Sequence, residues 1–416
     1  MRILFVTQWF DPEPIFKGSS FVDALSAKGH DVEVATAFPN YPGGKLYPGF
    51  RLRPYQRDRI GEMVVHRLFV WPSHDKSSLG RVLNYASFFL SSLMFGLLCG
   101  GRYDLVYVYH PPITPAVAAT LFCRIHGKPF VVEIQDLWPD SVAVSGMAGS
   151  RITALLDRLC GYVYRHATHL ILQSDGMLAA LALRGVSTAK MTRIYNWSTY
   201  LSSRNGVDMV DAGLLDSFEG RLNLVYGGNI GQAQALASVV DAVALAAVDH
   251  PEIHLHIFGN GIEREPLNQY ISRHAPGLAT IHPGLPRDLM DRVFDLADGL
   301  VLHLSGDPLY AITIPSKVQH YLSCGKPIIA GLSGEAAELL ERSGAALVVP
   351  PRDVAGLARA IARWAGFSPA ERDALGSAGR TFYSASLDFG RAIDQTDEVV
   401  TRAYASLQSS TGNKSA

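Results

Sequence analysis

Short apolar runs alternate with stretches of helical periodicity along most of the chain. The first run, Ile3 to Val6, leads into a loop with Pro12, Pro14 and Gly18. A helical stretch from about Ser20 to Lys28 then ends at Gly29, and Asp31 to Ala35 is a second run. Buried strand, loop, helix and buried strand in that order predict a parallel βαβ unit, whose ligands sit beyond the carboxyl ends of the strands. The loop from Gln8 to Ser19 is thus expected to face a site. Further strands are predicted at Met63 to Phe69, Leu105 to Tyr109, Phe130 to Ile134 and Leu170 to Gln173, alternating with helices. The pattern then lapses into Ser, Gly, Asn and Asp. It restarts at Leu222 to Tyr226 and returns at Ile253 to Phe258, Thr280 to His282, Gly299 to Leu304, Pro327 to Gly331 and Ala345 to Val349.

These two series predict an α/β protein of two Rossmann-like, doubly wound domains facing a cleft: residues 1–197, a linker at 198–221, and residues 222–385. A last helix over 386–407 is expected to pack back on the first domain, and the polar residues 408–416 to form a disordered tail. A length of 416 residues, too great for one ordinary core, agrees with this division. The formal charge of -1 argues against a globally basic nucleic-acid binder, so no nucleic-acid partner is expected. Cys99, Cys123, Cys160 and Cys324 are widely spaced without a CxxC pair, and MRILFVTQWF reads as a first strand rather than a signal peptide. Both point to a cytoplasmic protein.

One segment stands apart. Ala86 to Gly100 is uncharged and follows Lys76 and Arg81. It is shorter than the roughly 20 residues of a membrane span. A buried core helix and an interfacial helix on the inner face of the plasma membrane are the main readings, with a true span as the third. Arg51, Arg53, Arg57 and Arg59 likewise read either as a holder of anionic lipid or a phosphorylated acceptor, or as a solvated face.

Candidate chemistry gathers at predicted strand ends. In VYGGNIGQAQAL a strand runs into Gly227, Gly228, Asn229, Ile230 and Gly231 before a long helix. Glycines there let backbone N–H groups approach a phosphate at a helix N-terminus, where the dipole favours anions. A plain structural turn is the other reading. In IPSKVQHYLSCGKPIIA, Ser316 is a natural N-cap after Pro315 and Gly325 a natural stop, which predicts a helix over Lys317 to Cys324. Lys317 then opposes the helix dipole by roughly 0.3 to 1 kcal/mol unless an anion lies alongside. That conflict marks it as a diphosphate ligand, against a solvated or salt-bridged lysine. Gly259 and Gly261 in HIFGNGIERE bring backbone towards the same ligand or make a β-turn, and Gly284, Leu285 and Pro286 are placed to cover a nucleobase. In the first domain, Asp136 follows Glu133 in EIQDLWPDS as a sugar-orienting group or base, or as a cap. His110 in YHPPITP is placed to bind acceptor or phosphate, and Gly18 and Ser19 to approach the diphosphate.

Taken in order, MRILFVTQWFDPEP, AKGHDVEV, FPNYPGGKLYPG, VEIQDLWPDS, ILQSDGM, IYNW, VYGGNIGQAQAL, FGNGIE and PSKVQHYLSCGKPII resemble the family-4 glycosyltransferases of GT-B fold. The likeness is to the WbuB-like branch of bacterial polysaccharide assembly and runs from Met1 to about Leu407. It implies a retaining transferase with an N-terminal acceptor domain and a C-terminal nucleotide-sugar domain. The donor is expected to be a UDP-sugar, a co-substrate rather than a cofactor, carrying an N-acetylated or deoxy amino sugar. The acceptor is expected to be lipid-linked or an oligosaccharide.

Two departures from the family pattern matter. Ile312 and His320 stand where the family carries two glutamates separated by seven residues, and Gln232 and Gln234 stand near its usual Arg and Lys. An imidazole at 320 can still hydrogen-bond the donor ribose, and Asp307 and Tyr310 are placed to take over sugar contacts. The chain has no DxD triplet, so the leaving diphosphate is expected to be stabilised by helix N-termini and Lys317 without a metal. Three alternatives are weaker. An NAD-dependent oxidoreductase lacks its GxGxxG after the first strand. A nucleotide-sugar epimerase lacks its carboxylates, and a non-catalytic scaffold leaves the glycine loop and Lys317 without a purpose.

Overall fold

The computed structural model describes residues 1–73, 78–141, 150–198 and 212–412. They form two compact units, Met1–Ile194 joined by the C-terminal segment from Ala392, and Tyr195–Arg391. The expected boundary at 197/198 thus falls three residues earlier. Most of the expected linker, residues 199–211, lies outside the described residues. Its remainder is not linker: Ala212–Asp216 is helical, and Phe218 is buried with its ring stacked 4.0 Å from that of His256.

The first unit is built on eight strands: β1 (Arg2–Val6), β2 (Asp31–Ala37), β3 (Tyr55–Ile60), β4 (Met63–Leu68), β5 (Leu105–His110), β6 (Phe130–Ile134), β7 (His169–Leu172) and β8 (Met191–Arg193). Their order is β3-β4-β2-β1-β5-β6-β7-β8, parallel except for the β3–β4 hairpin. Central strands such as β5 and β6 are buried throughout, as expected for a parallel sheet covered on both faces. β3 is different, with YQRDRI alternating exposed and half-buried positions at the sheet edge and turning into β4 through Gly61 at φ +56°.

The second unit carries β9 (Leu222–Gly227), β10 (Ile253–Phe258), β11 (Ala279–His282), β12 (Gly299–His303), β13 (Ile328–Gly331) and β14 (Ala346–Val349). All are parallel in the order β11-β10-β9-β12-β13-β14. Alternation along β9 feeds two cores: Leu224 and Tyr226 pack with Val240, Ile257 and Trp364, while Val225 packs with Leu302, Tyr321 and Leu340.

The C-terminal helix is Phe389–Gly412, which begins three residues later than expected and replaces the start of the expected tail with helix up to Gly412. No proline interrupts Gln408 to Thr411, so the helical ladder continues through polar residues. The helix is fastened to the first unit by Lys28–Asp394 (2.5 Å) and His30–Asp397 (2.7 Å), with Val399, Val400 and Ala403 buried.

The uncharged segment at 86–100 belongs to a longer helix, Ser78–Cys99. Gly96 lets the Ile113–His126 helix approach, because a Cβ there would lie 2.0 Å from the Phe122 ring. This is no ordinary core helix. Phe88 and Phe95 are buried, yet Leu79, Val82, Leu83, Leu90, Met94, Leu97 and Leu98 are exposed. Among the described residues it is the one helix long and apolar enough to cross a membrane.

Candidate functional site

In the second unit, β9 ends in an exposed loop. Gly228 sits at φ +140°, and the loop is held by N–H donation from Gly228 to Phe258 O (2.8 Å) and from Ile230 to Asn260 O (2.9 Å). The loops after β9 and β10 are therefore laced together backbone to backbone. Gly259 and Gly261 serve this lacing rather than an approach to a ligand. A Cβ on Gly259 would lie 1.8 Å from Gly228 O, and one on Gly261 2.1 Å from Ile230 O, both at positive φ. Gly261→Ala is expected to cost on the order of 1–3 kcal/mol in backbone strain and to displace the β9 loop. Chemical unfolding together with nucleotide titration checks this, since both stability and affinity should fall.

The helix expected directly after Gly231 starts later, at Leu236, after a 3-10 turn at Gln232–Gln234 and Ala235 at φ +44°. Gln234 supports the loop by accepting from the Gly231 N–H (3.1 Å). The Tyr226 hydroxyl donates to Asn229 O (2.6 Å), and the Gly227 N–H donates to the Tyr321 hydroxyl (3.1 Å). Gly228 and Asn229 remain exposed while Gly231 is buried.

Lys317 reaches into this loop. Its helix runs from Ser316 to Cys324 with Pro315, not Ser316, in the N-cap position, and no side chain caps it. Proline's fixed φ ends the preceding segment and puts Ser316 already in the first turn, where its hydroxyl is exposed. Lys317 folds back over Gly228, close enough that a Cβ there would lie 2.6 Å from Nζ, and its ammonium lies 5.1 Å from the centroid of the Tyr226 ring. Among the described residues no carboxylate pairs with it. Desolvation alone pushes its pKa down to about 8. A cation with no counter-ion among the described residues, beside an exposed glycine loop and the start of its own helix, is an arrangement whose charge favours an anion.

The other expected donor residues take different places. His320 lies 3.1 Å from Asp291 through Nε2 and 3.3 Å from Ser198 Oγ through Nδ1, edge-on to Phe294. These partners make it an anchor of its helix and correct the expected ribose contact. Leu285 is half-buried against the second core, with the preceding Gly284 tight against Asn260. Asp307 caps Pro308–Ala311 by accepting from the Leu309 N–H (2.9 Å).

In the first unit the expected anion role of Gly18 is corrected. The Asp11 carboxylate already fills the start of the Ser19–Ala27 helix, accepting from the Ser19 N–H at 2.5 Å, so a diphosphate would meet like charge there. Below it lies an arrangement that local sequence reading missed. Lys17 and Glu133, both almost wholly buried, pair at 2.5 Å, and the Tyr107 hydroxyl and Gln135 Nε2 also donate to Glu133. Glu13, also buried, accepts from the N–H groups of Phe10, Asn40 and Tyr41 and so joins the loops after β1 and β2. The only sequence signal was the pair of charges Glu13 and Lys17 flanking Ile15 and Phe16 in the loop DPEPIFKG.

His110 is corrected as well. It is wholly buried, its ring nitrogens have no hydrogen-bond partner among the described residues, and burial lowers its pKa to about 3. A neutral, enclosed imidazole packed against Trp138 touches no ligand. Asp136 is exposed in the loop after β6, and desolvation by the surrounding protein raises its pKa. It is the accessible acid of this unit's expected residues.

Comparison with known proteins fits this geometry. Residues 19–197 match the glycosyl transferase 4-like domain family and residues 221–366 the glycosyl transferases group 1 family. The putative colanic acid biosynthesis glycosyl transferase WcaI of Escherichia coli K12 is 27% identical over 377 residues, covering 87% of this chain and 91% of that protein. Among solved structures, Anabaena HepE in complex with UDP superposes with a TM-score of 0.68 at 16% identity, over 97% of this chain and 100% of that one. WaaG, a glycosyltransferase involved in lipopolysaccharide biosynthesis, gives 0.62 at 13% identity, over 96% and 99%. At these identities the two structures speak for the GT-B fold alone.

Proposed function

Because the chain belongs to the family-4 glycosyltransferases, we propose that it moves a sugar from a UDP-sugar to a lipid-linked or saccharide acceptor in polysaccharide assembly, with retention and without a metal. The observation that carries this reading is Lys317, a half-buried ammonium with no carboxylate partner among the described residues, at the exposed β9 loop. A diphosphate supplies the missing negative charge. WcaI, named for colanic acid biosynthesis, supports a polysaccharide product, and HepE, solved with UDP, supports a uridine donor.

The chemistry follows from where charge develops. The acceptor hydroxyl attacks the anomeric carbon, the bond from that carbon to the β-phosphate oxygen breaks, and this oxygen takes the hydroxyl proton. Lys317 and the first amides of its helix stabilise the charge left on the diphosphate. In this reading Asp136 accepts a hydrogen bond from the acceptor hydroxyl and orients it for attack, while the proton itself passes to the phosphate oxygen. The expected amino sugar donor stays part of this reading. So does peripheral contact of the Ser78–Cys99 helix with the inner membrane face, which would cover its exposed leucines.

Transfer assays with a panel of UDP-sugars, run with membrane extracts as acceptor source and with EDTA, test the reading. EDTA-insensitive transfer is expected, with Asp136→Asn lowering kcat by about 10²-fold through loss of acceptor orientation and leaving UDP affinity unchanged. Loss of all transfer on chelation, or equal turnover of the variant, would count against it.

A further inference from the structure

The Ser78–Cys99 helix does not seal against the edge hairpin of the first unit. A groove of about 730 Å³ lies between them, lined by Tyr55, Phe69, Leu90, Met94, Phe95 and Leu98 among others. Its walls are mainly apolar, with His66, Ser91 and Arg102 among the polar groups, and two of its rings, Tyr55 and Phe95, stack at 6.2 Å. At 1.5 Å per residue, its lining from Ser87 to Cys99 follows the helix for about 18 Å. That is a little over half of the ~30 Å hydrocarbon core of a bilayer.

The two ends differ. One, at Pro54, Phe69 and Ser87, opens beside the carboxyl end of β4, on the side of the sheet where the β1 and β2 loops sit, and exposed Arg51 and Arg53 immediately precede Pro54. The other, at Cys99, Arg102 and Tyr103, lies at the amino end of β5. Between residues 51 and 102 the chain has eight basic and three acidic residues, although its overall formal charge is -1. An apolar channel bordered by arginines suits a molecule that is hydrocarbon along its length and anionic at its head.

We propose that this groove receives the hydrocarbon chain of a phosphate-headed lipid acceptor, with the head at the Arg51 and Arg53 mouth. The inference rests on the lipid-linked reading of the acceptor and deepens it. It separates two apolar surfaces on one helix: Leu90, Met94 and Leu98 line the groove, whereas Leu79, Val82 and Leu83 lie outside it and face solvent.

The test uses the full chain and farnesyl phosphate below its micellar concentration, with inorganic phosphate as the head-only control. Vesicles of phosphatidylglycerol and phosphatidylcholine report surface binding, and UDP titration reports the donor site. Met94→Trp, which fills the groove with apolar bulk, is expected to weaken farnesyl phosphate binding at least about tenfold while vesicle binding and UDP affinity persist. Leu83→Glu should do the reverse, weakening vesicle binding and sparing farnesyl phosphate. Ser91→Phe enters the same groove and should repeat the first result. Equal farnesyl phosphate affinity in the folded groove variants, or its loss in Leu83→Glu in step with vesicle binding, would overturn the groove and leave only a sticky outer face. Failure of wild-type UDP binding would instead strike the transferase reading, so the two are told apart.

Discussion

Lys17→Met is expected to destabilise the first unit by about 3–5 kcal/mol, the scale of breaking a buried ion pair by removing one partner. Lys17 and Glu133 are 1% and 3% exposed, so neither charge can recover its hydration when the other is deleted. Desolvation lowers the Lys17 pKa while Glu133 offsets part of that cost, which is the balance expected of a pair formed inside a core. The Lys17 ammonium also lies 4.2 Å from the centroid of the Phe21 ring, a contact that methionine keeps only as packing. The effect should reach function, because Lys17 pins the end of the β1 loop to the end of β6, from which the Asp136 loop departs. Calorimetry should show the first unit's transition lowered by roughly 6–20 °C. The double variant Lys17→Met with Glu133→Leu should recover much of the loss, since it removes both buried charges. A single variant as stable as the wild type would show that the pair carries no such weight.

Lys317→Met is expected to have the opposite signature: weaker nucleotide binding and a more stable free protein. Loss of one charged hydrogen bond to the diphosphate should weaken UDP binding by about 1.5–3 kcal/mol, roughly 10- to 150-fold. Without ligand, the same change removes a desolvated cation that no carboxylate among the described residues offsets, and the second unit's transition should rise by about 2–4 °C for each kcal/mol recovered. Differential scanning calorimetry of the free proteins and calorimetric UDP titration separate the two effects. A surface lysine with no ligand role would move neither quantity. A purely structural lysine would lower both.

The legible parts of the fold were those written in contiguous residues. The central strands of the second unit, β9, β12 and β13, are the clearest apolar runs, because a parallel strand covered on both faces needs them. β3 was not legible, since YQRDRI is an edge strand with one exposed face and shows no run. β8, with only three residues, offered too little pattern. The same division holds at the site. The β9 loop and Lys317 could be read locally, as glycines after a strand and a cation at the wrong end of a helix. The Ser316 cap could not be, because serine's preference yields to Pro315, whose fixed backbone already occupies the position. Gly259 and Gly261 look like ligand-binding glycines in sequence, and only the carbonyls of Gly228 and Ile230, about 30 residues away in the chain, reveal their use. His320 answers to Asp291 and Ser198, and Gly18 to Asp11, through contacts that no local pattern encodes.

The central claim is that Lys317 holds a diphosphate, and the pH dependence of UDP affinity tests it most directly. In the free protein Lys317 titrates at about 8, and a bound diphosphate raises that value by favouring the ammonium. Affinity should therefore be full below pH 8 and fall as the pH rises through the window above it, by up to about tenfold per unit. Lys317→Met should bind weakly and show no such fall. A wild-type affinity that stays level from pH 7 to 10, or a variant that follows the same slope, would contradict the assignment.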